Sequence, residues 1–72
     1  MIYKLRCQLG FYNPHNPNEG DQIYKEWEEE LANDESAFKK MEAVMSPVRN
    51  ELLSKGFRIN HDSKGFRAVY DV

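Results

Sequence analysis

At 72 residues and 8.5 kDa the chain has room for one domain spanning residues 1 to 72, since two would need roughly twice that length. A 40% hydrophobic and 12% aromatic composition with a net charge of −2 excludes a disordered chain, because apolar surface is ample and self-repulsion small. A pI near 5.6 excludes general attraction to nucleic acid or anionic membrane, so binding of that kind would need local charge asymmetry.

From Ile2 to Tyr12 the odd positions Tyr3, Leu5, Cys7, Leu9 and Phe11 are apolar, with Lys4, Arg6 and Gln8 between them. A period of two puts one set of side chains on a core face and predicts a half-buried strand. The stretch holds no apolar run long enough for a signal-peptide core or a membrane span. Cys7 is the single cysteine and no Asn-x-Ser/Thr sequon occurs, so the expected location is the cytoplasm. Residues 13 to 20, NPHNPNEG, combine two prolines, three asparagines and a glycine and predict a loop.

Residues 21 to 55 read as helical. Tyr24, Trp27 and Leu31 stand at spacings of 3 and 4, and Phe38, Met41, Met45, Val48 and Leu52 continue the rhythm. A single rod of this length would run about 50 Å, so a break is expected. Asn33-Asp34-Glu35-Ser36 is the predicted place, because Asn and Asp favour N-caps and acids suit the positive end of a new helix. Pro47 is a second weak point. Met41, Met45, Val48 and Leu52 keep phase across it, which favours a kink over a fresh start at Ser46. Gly56 reads as the left-handed terminator.

Phe57, Ile59 and His61 alternate with Arg58 and Asn60, and Phe66, Ala68, Tyr70 and Val72 alternate with Arg67, Val69 and Asp71. Asp62-Ser63-Lys64-Gly65 between them has turn composition and predicts a terminal hairpin. Ser-Lys-Gly-Phe-Arg occurs at 54 to 58 and again at 63 to 67, each copy a glycine-ended reversal before a strand. The expected fold is therefore α+β, strand-helix-helix-strand-strand: a three-stranded mixed or antiparallel sheet, mixed if two helices bring the last strand parallel to the first, with helices on one face. The expected core is Tyr3, Leu5, Leu9, Phe11, Trp27, Leu31, Phe38, Met41, Met45, Val48, Leu52, Phe57, Ile59, Phe66 and Tyr70. The rival architecture is a long helical hairpin forming a homodimer along its apolar stripe.

Residues 19 to 46 carry nine acids (Glu19, Asp21, Glu26, Glu28, Glu29, Glu30, Asp34, Glu35, Glu42) against Lys25, Lys39 and Lys40. The expected molecule is dipolar, with acidic helices and a basic sheet face showing Lys4, Arg6, Arg58 and Arg67 beside Gln8 and Asn60. Solvated surfaces of this kind are ordinary in stable domains. The functional reading takes the acidic helical face, Glu26, Glu28, Glu29, Glu30, Asp34 and Glu35, as a docking surface for a larger protein with a basic surface. The competing reading takes the basic sheet face, Lys4, Arg6, Arg58 and Arg67, as a nucleic-acid site, although that face lacks base-stacking aromatics apart from Tyr12.

No Gly-rich phosphate loop, nucleophile elbow, paired-cysteine motif or His-x-x-x-His pair occurs, so no enzyme is expected and no cofactor is implied. Cys7 on the core parity reads as an inert buried thiol. His15 and His61 could form a metal or acid-base site only if the fold gathered them with Glu19 or Asp21. The expectation is a non-catalytic accessory or inhibitory protein, comparable in size and charge to inhibitors encoded by phages and mobile elements, with no membrane role.

Overall fold

The alternation that begins at Ile2 forms the central strand of a sheet. In a computed structural model, which describes residues 1–69, β1 (Ile2–Asn13) is flanked by β2 (Asn16–Glu30) and β3 (Arg58–Val69), with α1 (Asp34–Ser54) between β2 and β3 in the chain. The sheet order is β2-β1-β3, and both neighbours run antiparallel to β1. The α+β class and the three-stranded sheet are as expected, and of the mixed and antiparallel forms the sheet takes the antiparallel one, but the described residues hold one helix rather than two.

The first difference lies at residues 16 to 30, expected as loop and helix and found as a 15-residue strand. Tyr24, Trp27 and Leu31 have helical spacing, and the glutamates around them favour helix. Propensity is outweighed by pairing. β1 buries Tyr3, Leu5, Cys7 and Leu9 and needs a neighbour on each side, and an immediate hairpin supplies one at the lowest loop-closure cost. The turn shrinks to Pro14 and His15, with the His15 amide donating to Asn13 Oδ1 at 2.9 Å. The register shifts between Tyr12 and Asn13, pairing Tyr12 with Gly20 and Asn13 with Asn16, so residues 17 to 19 have no register partner on β1. Gly20 is required there, since a Cβ would stand 2.7 Å from the Phe11 carbonyl oxygen.

α1 starts where the sequence marks it. Asn33 is the N-cap, its Oδ1 accepting from the Ser36 amide at 2.9 Å, and Asp34 and Glu35 occupy the first turn. The helix continues through Pro47, with Met41, Met45, Val48 and Leu52 in phase against the sheet. Gly56, at φ +89°, ends it: its amide donates to the Leu53 carbonyl and the Phe57 amide to the Leu52 carbonyl, both at 3.1 Å. Replacing Asn33 with Ala should cost about 1 kcal/mol, read as a lower denaturation midpoint at unchanged slope.

The second difference is at the other edge. The expected hairpin at 62 to 65 is absent, and β3 runs unbroken along β1, from Arg58 opposite Tyr12 to Val69 opposite Ile2. Asp62 and Lys64 share the parity of Phe66 and reach across to α1 in an ion-pair network rather than forming a turn. A bulge between Gly10 and Phe11 absorbs Asn60, and a Cβ on Gly10 would stand 2.5 Å from Asn60 Oδ1.

The core is smaller than expected: Tyr3, Leu5, Cys7 and Leu9 meet Ala37, Met41 and Met45, rimmed by Ile23, Trp27, Leu31, Val44, Val48, Leu52, Ile59 and Ala68. Phe38 and Phe66, both expected inside, are 52% and 38% exposed. Phe11 and Phe57 are half-buried and meet edge to face with centroids 5.2 Å apart. Tyr70 and Val72 lie outside the described residues. α1 lies over β1 and β3 and covers β2 only in part, through Ile23, Trp27 and Glu29. One helix on long strands also makes the domain flat and extended, 50 × 18 × 13 Å with a radius of gyration of 14.4 Å, against about 11 Å for a compact chain of this length.

Candidate docking surface on the acidic edge strand

The strand assignment moves the acids. β2 carries Glu19, Asp21, Glu26, Glu28, Glu29 and Glu30 against Lys25 alone, whereas α1 carries Asp34, Glu35, Glu42 and Glu51 against Lys39, Lys40 and Arg49. The acidic element is therefore an edge strand and not a helical face. Its even residues point away from α1, which puts Glu26, Glu28 and Glu30 in one line on the open side of the sheet, at steps of about 6.8 Å.

The six acids proposed for docking divide into two groups. Glu26, Glu28 and Glu30 share the open face; Glu28 and Glu30 are exposed and make no ion pair among the described residues. Glu26 accepts from the Tyr24 hydroxyl and from Lys4 Nζ at 2.9 Å, and these two partners hold its carboxyl below the usual range. Glu29 faces the helix layer, where it accepts from Trp27 Nε1 at 3.2 Å and lies 3.8 Å from Lys40 Nζ. Asp34 accepts from the Tyr3 hydroxyl at 2.8 Å and Glu35 pairs with Lys39 at 3.2 Å, so both are tied to α1's first turn.

The expected basic face is not a separate patch. Lys4 is opposite Glu28 and Arg6 opposite Glu26 in the β1–β2 register, which places cations and carboxylates side by side on one face. Arg67 lies across from Lys4, and Arg6 extends over Gly65, its Nη2 3.7 Å from where a Cβ would sit. Lys4, Arg6, Glu26, Gly65 and Arg67 line an open groove of about 360 Å³. Arg58 pairs with Tyr12, eight β1 residues from Lys4, or roughly 27 Å along the strand. Asn60 sits in the bulge and Gln8 bonds to Gln22. The dipole expected between helices and sheet thus becomes a mixed open face with its acidic row at the β2 edge.

The histidines are apart. His15 is in the β1–β2 turn, while His61 lies opposite Gly10 and bonds to Ser63 Oγ at 3.0 Å. Among the described residues no three His, Cys, Asp or Glu side chains are grouped to hold a metal ion. Burial raises the Cys7 thiol above its ordinary value, with Lys64 only partly opposing, so the thiolate is suppressed at neutral pH.

Two features escaped the sequence reading. Tyr24, grouped by its spacing with the apolar stripe of Trp27 and Leu31, is 54% exposed on the open face beside Glu26. On the opposite side, Arg49 bridges Glu42 and Asp62, both at 3.1 Å, and Lys64 bridges the same two acids at 3.2 and 2.9 Å. Lys64 is only 11% exposed, so this ring of two cations and two acids joins α1 to β3. The signal for it was parity, since Asp62 and Lys64 alternate in register with Phe66.

Hydrogen bonds from Arg49 and then Lys64 lower the Glu42 carboxyl. Burial opposes charge on Asp62, but Lys64 and Arg49 outweigh it and hold this acid low as well. Groups depressed by folding stabilise above their unfolded values, about 4, and lose that contribution as pH falls through the folded ones. Denaturation midpoints should therefore drop as pH falls from about 5 through the carboxylate range, and Asp62→Asn should show a smaller drop there while being less stable at pH 7.

Comparison of the chain with family models, with curated proteins and with solved structures found no match. Among the described residues no helix is long and apolar enough to cross a membrane.

Proposed function

We propose that the protein acts by binding rather than catalysis, as a small accessory or inhibitory module of the cytoplasm that docks on a basic surface of a larger protein. The observation that carries this reading is the line Glu26, Glu28 and Glu30 on the open side of the edge strand β2. Successive phosphates of one nucleic-acid strand rise about 3.4 Å and step sideways by more, giving a through-space spacing of roughly 6 to 7 Å. A carboxylate row at about 6.8 Å intervals is a fair match to that spacing. A partner surface built to hold nucleic acid would accept such a row, and occupying it would inhibit. A charge of −5 concentrated on β2 would also steer the encounter.

Nucleic-acid binding by Lys4, Arg6, Arg58 and Arg67 is the weaker reading. Lys4 is already paired with Glu26, Arg58 is at the far end, the acidic row adjoins Arg6, and Arg67 lies alone on the far strand. A polyanion approaching this face would meet carboxylates as well as cations.

The test is affinity capture from the native host, comparing the wild type with a Glu28→Lys/Glu30→Lys variant and an Arg67→Gln variant. The expected result is a basic protein retained by the wild type and by Arg67→Gln, lost with the double reversal, and displaced by added nucleic acid. Recovery of nucleic acid that depends on Arg67 would overturn the proposal.

A further inference from the structure

The Leu31 amide donates to the Met1 carbonyl at 2.9 Å, which fixes the phase of the β1–β2 ladder. On a strand the N–H and C=O of one residue point to the same side and alternate along the chain. In β2 the odd residues 23 to 29 therefore bond to β1, and Gln22, Tyr24, Glu26, Glu28 and Glu30 turn their backbone groups outward at the sheet edge. The Gln22 amide is satisfied by Asp21 Oδ1 at 2.7 Å, so the outward amides of 24, 26, 28 and 30 form the open ladder. These are the residues whose side chains make the acidic row.

The other face of the same edge is apolar in part. Because α1 lies over β1 and β3, Ile23, Trp27 and Leu31 are only half-buried along β2. A strand added here would set alternate side chains beside Glu26, Glu28 and Glu30, and the intervening ones beside Ile23, Lys25, Trp27 and Glu29, where Ile23 and Trp27 offer the apolar surface. A second copy cannot supply it through its own β2, since that would place glutamate rows against each other.

We infer that β2 is the receiving edge for an extended segment of a partner protein, which joins as a fourth strand and carries Lys or Arg at every second position with apolar residues between. This rests on the docking reading above and specifies its mode: backbone pairing supplies the contact, the carboxylate row selects basic residues, and Trp27 and Ile23 select apolar ones.

The probe is a capped octapeptide of alternating lysine and valine, with a Lys₄Val₄ block peptide of the same composition as control. Amide exchange on the full protein should show protection gained at Tyr24, Glu26, Glu28 and Glu30 with the alternating peptide, and the block peptide should bind about tenfold or more weakly. N-methylation of alternate peptide residues should abolish binding for one parity only: the lysines if the strand adds antiparallel, the valines if parallel. Binding without protection of those four amides, or with both N-methylated forms still bound, overturns strand addition while leaving charge-driven docking intact. Failure of the alternating peptide to bind at millimolar concentration also overturns it, and the capture experiment then judges the docking reading separately.

Discussion

Leu5→Ala should remove about 2 to 5 kcal/mol of stability, the usual range for emptying a fully enclosed leucine site. Leu5 is 0% exposed on the central strand, between Trp27 and Phe66 in register and beneath Met41 and Met45 on α1. Strands on both sides and a helix above leave little freedom to collapse into the void. A domain of this size rarely holds more than about 3 to 5 kcal/mol in its single core, so the variant should be substantially unfolded at 37 °C. Met41→Ala should fall in the same range, since Met41 meets the same cluster from α1. Phe66→Ala is the internal contrast. Phe66 is on the outer strand, 38% exposed, touching the Tyr3 ring edge to face at 6.1 Å, and should cost about 1 kcal/mol. Urea denaturation of the three variants decides. Equal losses at Leu5 and Phe66 would mean β3's outer edge is covered in solution, and silence at Leu5 would mean the core lies elsewhere.

That contrast follows from which elements the sequence could announce. β1 was legible because five apolar residues alternate over nine positions, and no helix can place such a set on one face. The ends of α1 were legible because Asn33 and Gly56 act locally: a side-chain acceptor for the Ser36 amide and a residue free to take φ +89°. β2 was not legible. Glutamate favours helix, and Tyr24, Trp27 and Leu31 sit at helical spacing, yet Tyr24 faces the open side, and the inward set is Ile23, Trp27 and Leu31. The deciding interaction is the ladder to β1, which no local window contains. β3 misleads for a related reason: Asp62-Ser63-Lys64-Gly65 has turn composition, but its charges are answered by Glu42 and Arg49 on another element.

The candidate site was legible in its residues and not in its geometry. Glu26, Glu28 and Glu30 could be named from the sequence, but on a helix they would spread around the axis, whereas on β2 they align. Glu29, Asp34 and Glu35 belonged to the same acidic run and are turned elsewhere by the strand's period of two and by the chain reversal into α1. Lys4, Arg6 and Arg67 stand on the face of the sheet opposite α1, and an adjacent strand of opposite charge makes that face a mixed surface rather than a phosphate platform.

Reversing Glu28 and Glu30 to Lys should slow association with the captured partner by about tenfold or more at low salt and flatten the dependence of the rate on ionic strength. These two carboxylates are the clean choice because they make no ion pair among the described residues, so their reversal breaks no fold contact. Glu26 is less suitable, since its reversal would break the ion pair with Lys4 and the bond from the Tyr24 hydroxyl, whereas Glu28→Lys breaks neither and sets one lysine opposite Lys4, at a cost of a few tenths of a kcal/mol to about 1 kcal/mol. The matched control is Glu29→Lys/Glu35→Lys, with the same change in net charge. Glu29 lies on the helix side near Lys40 and Glu35 on α1 near Lys39, so this pair should alter stability modestly and the association rate little. The two variants separate a directed surface from a net-charge effect. If both slow association equally, only the total charge of the molecule matters and the open-face row has no special role. A large effect confined to Glu28 and Glu30, vanishing above about 0.5 M salt where the screening length is only a few ångströms, would place the partner's basic groups against the open side of β2.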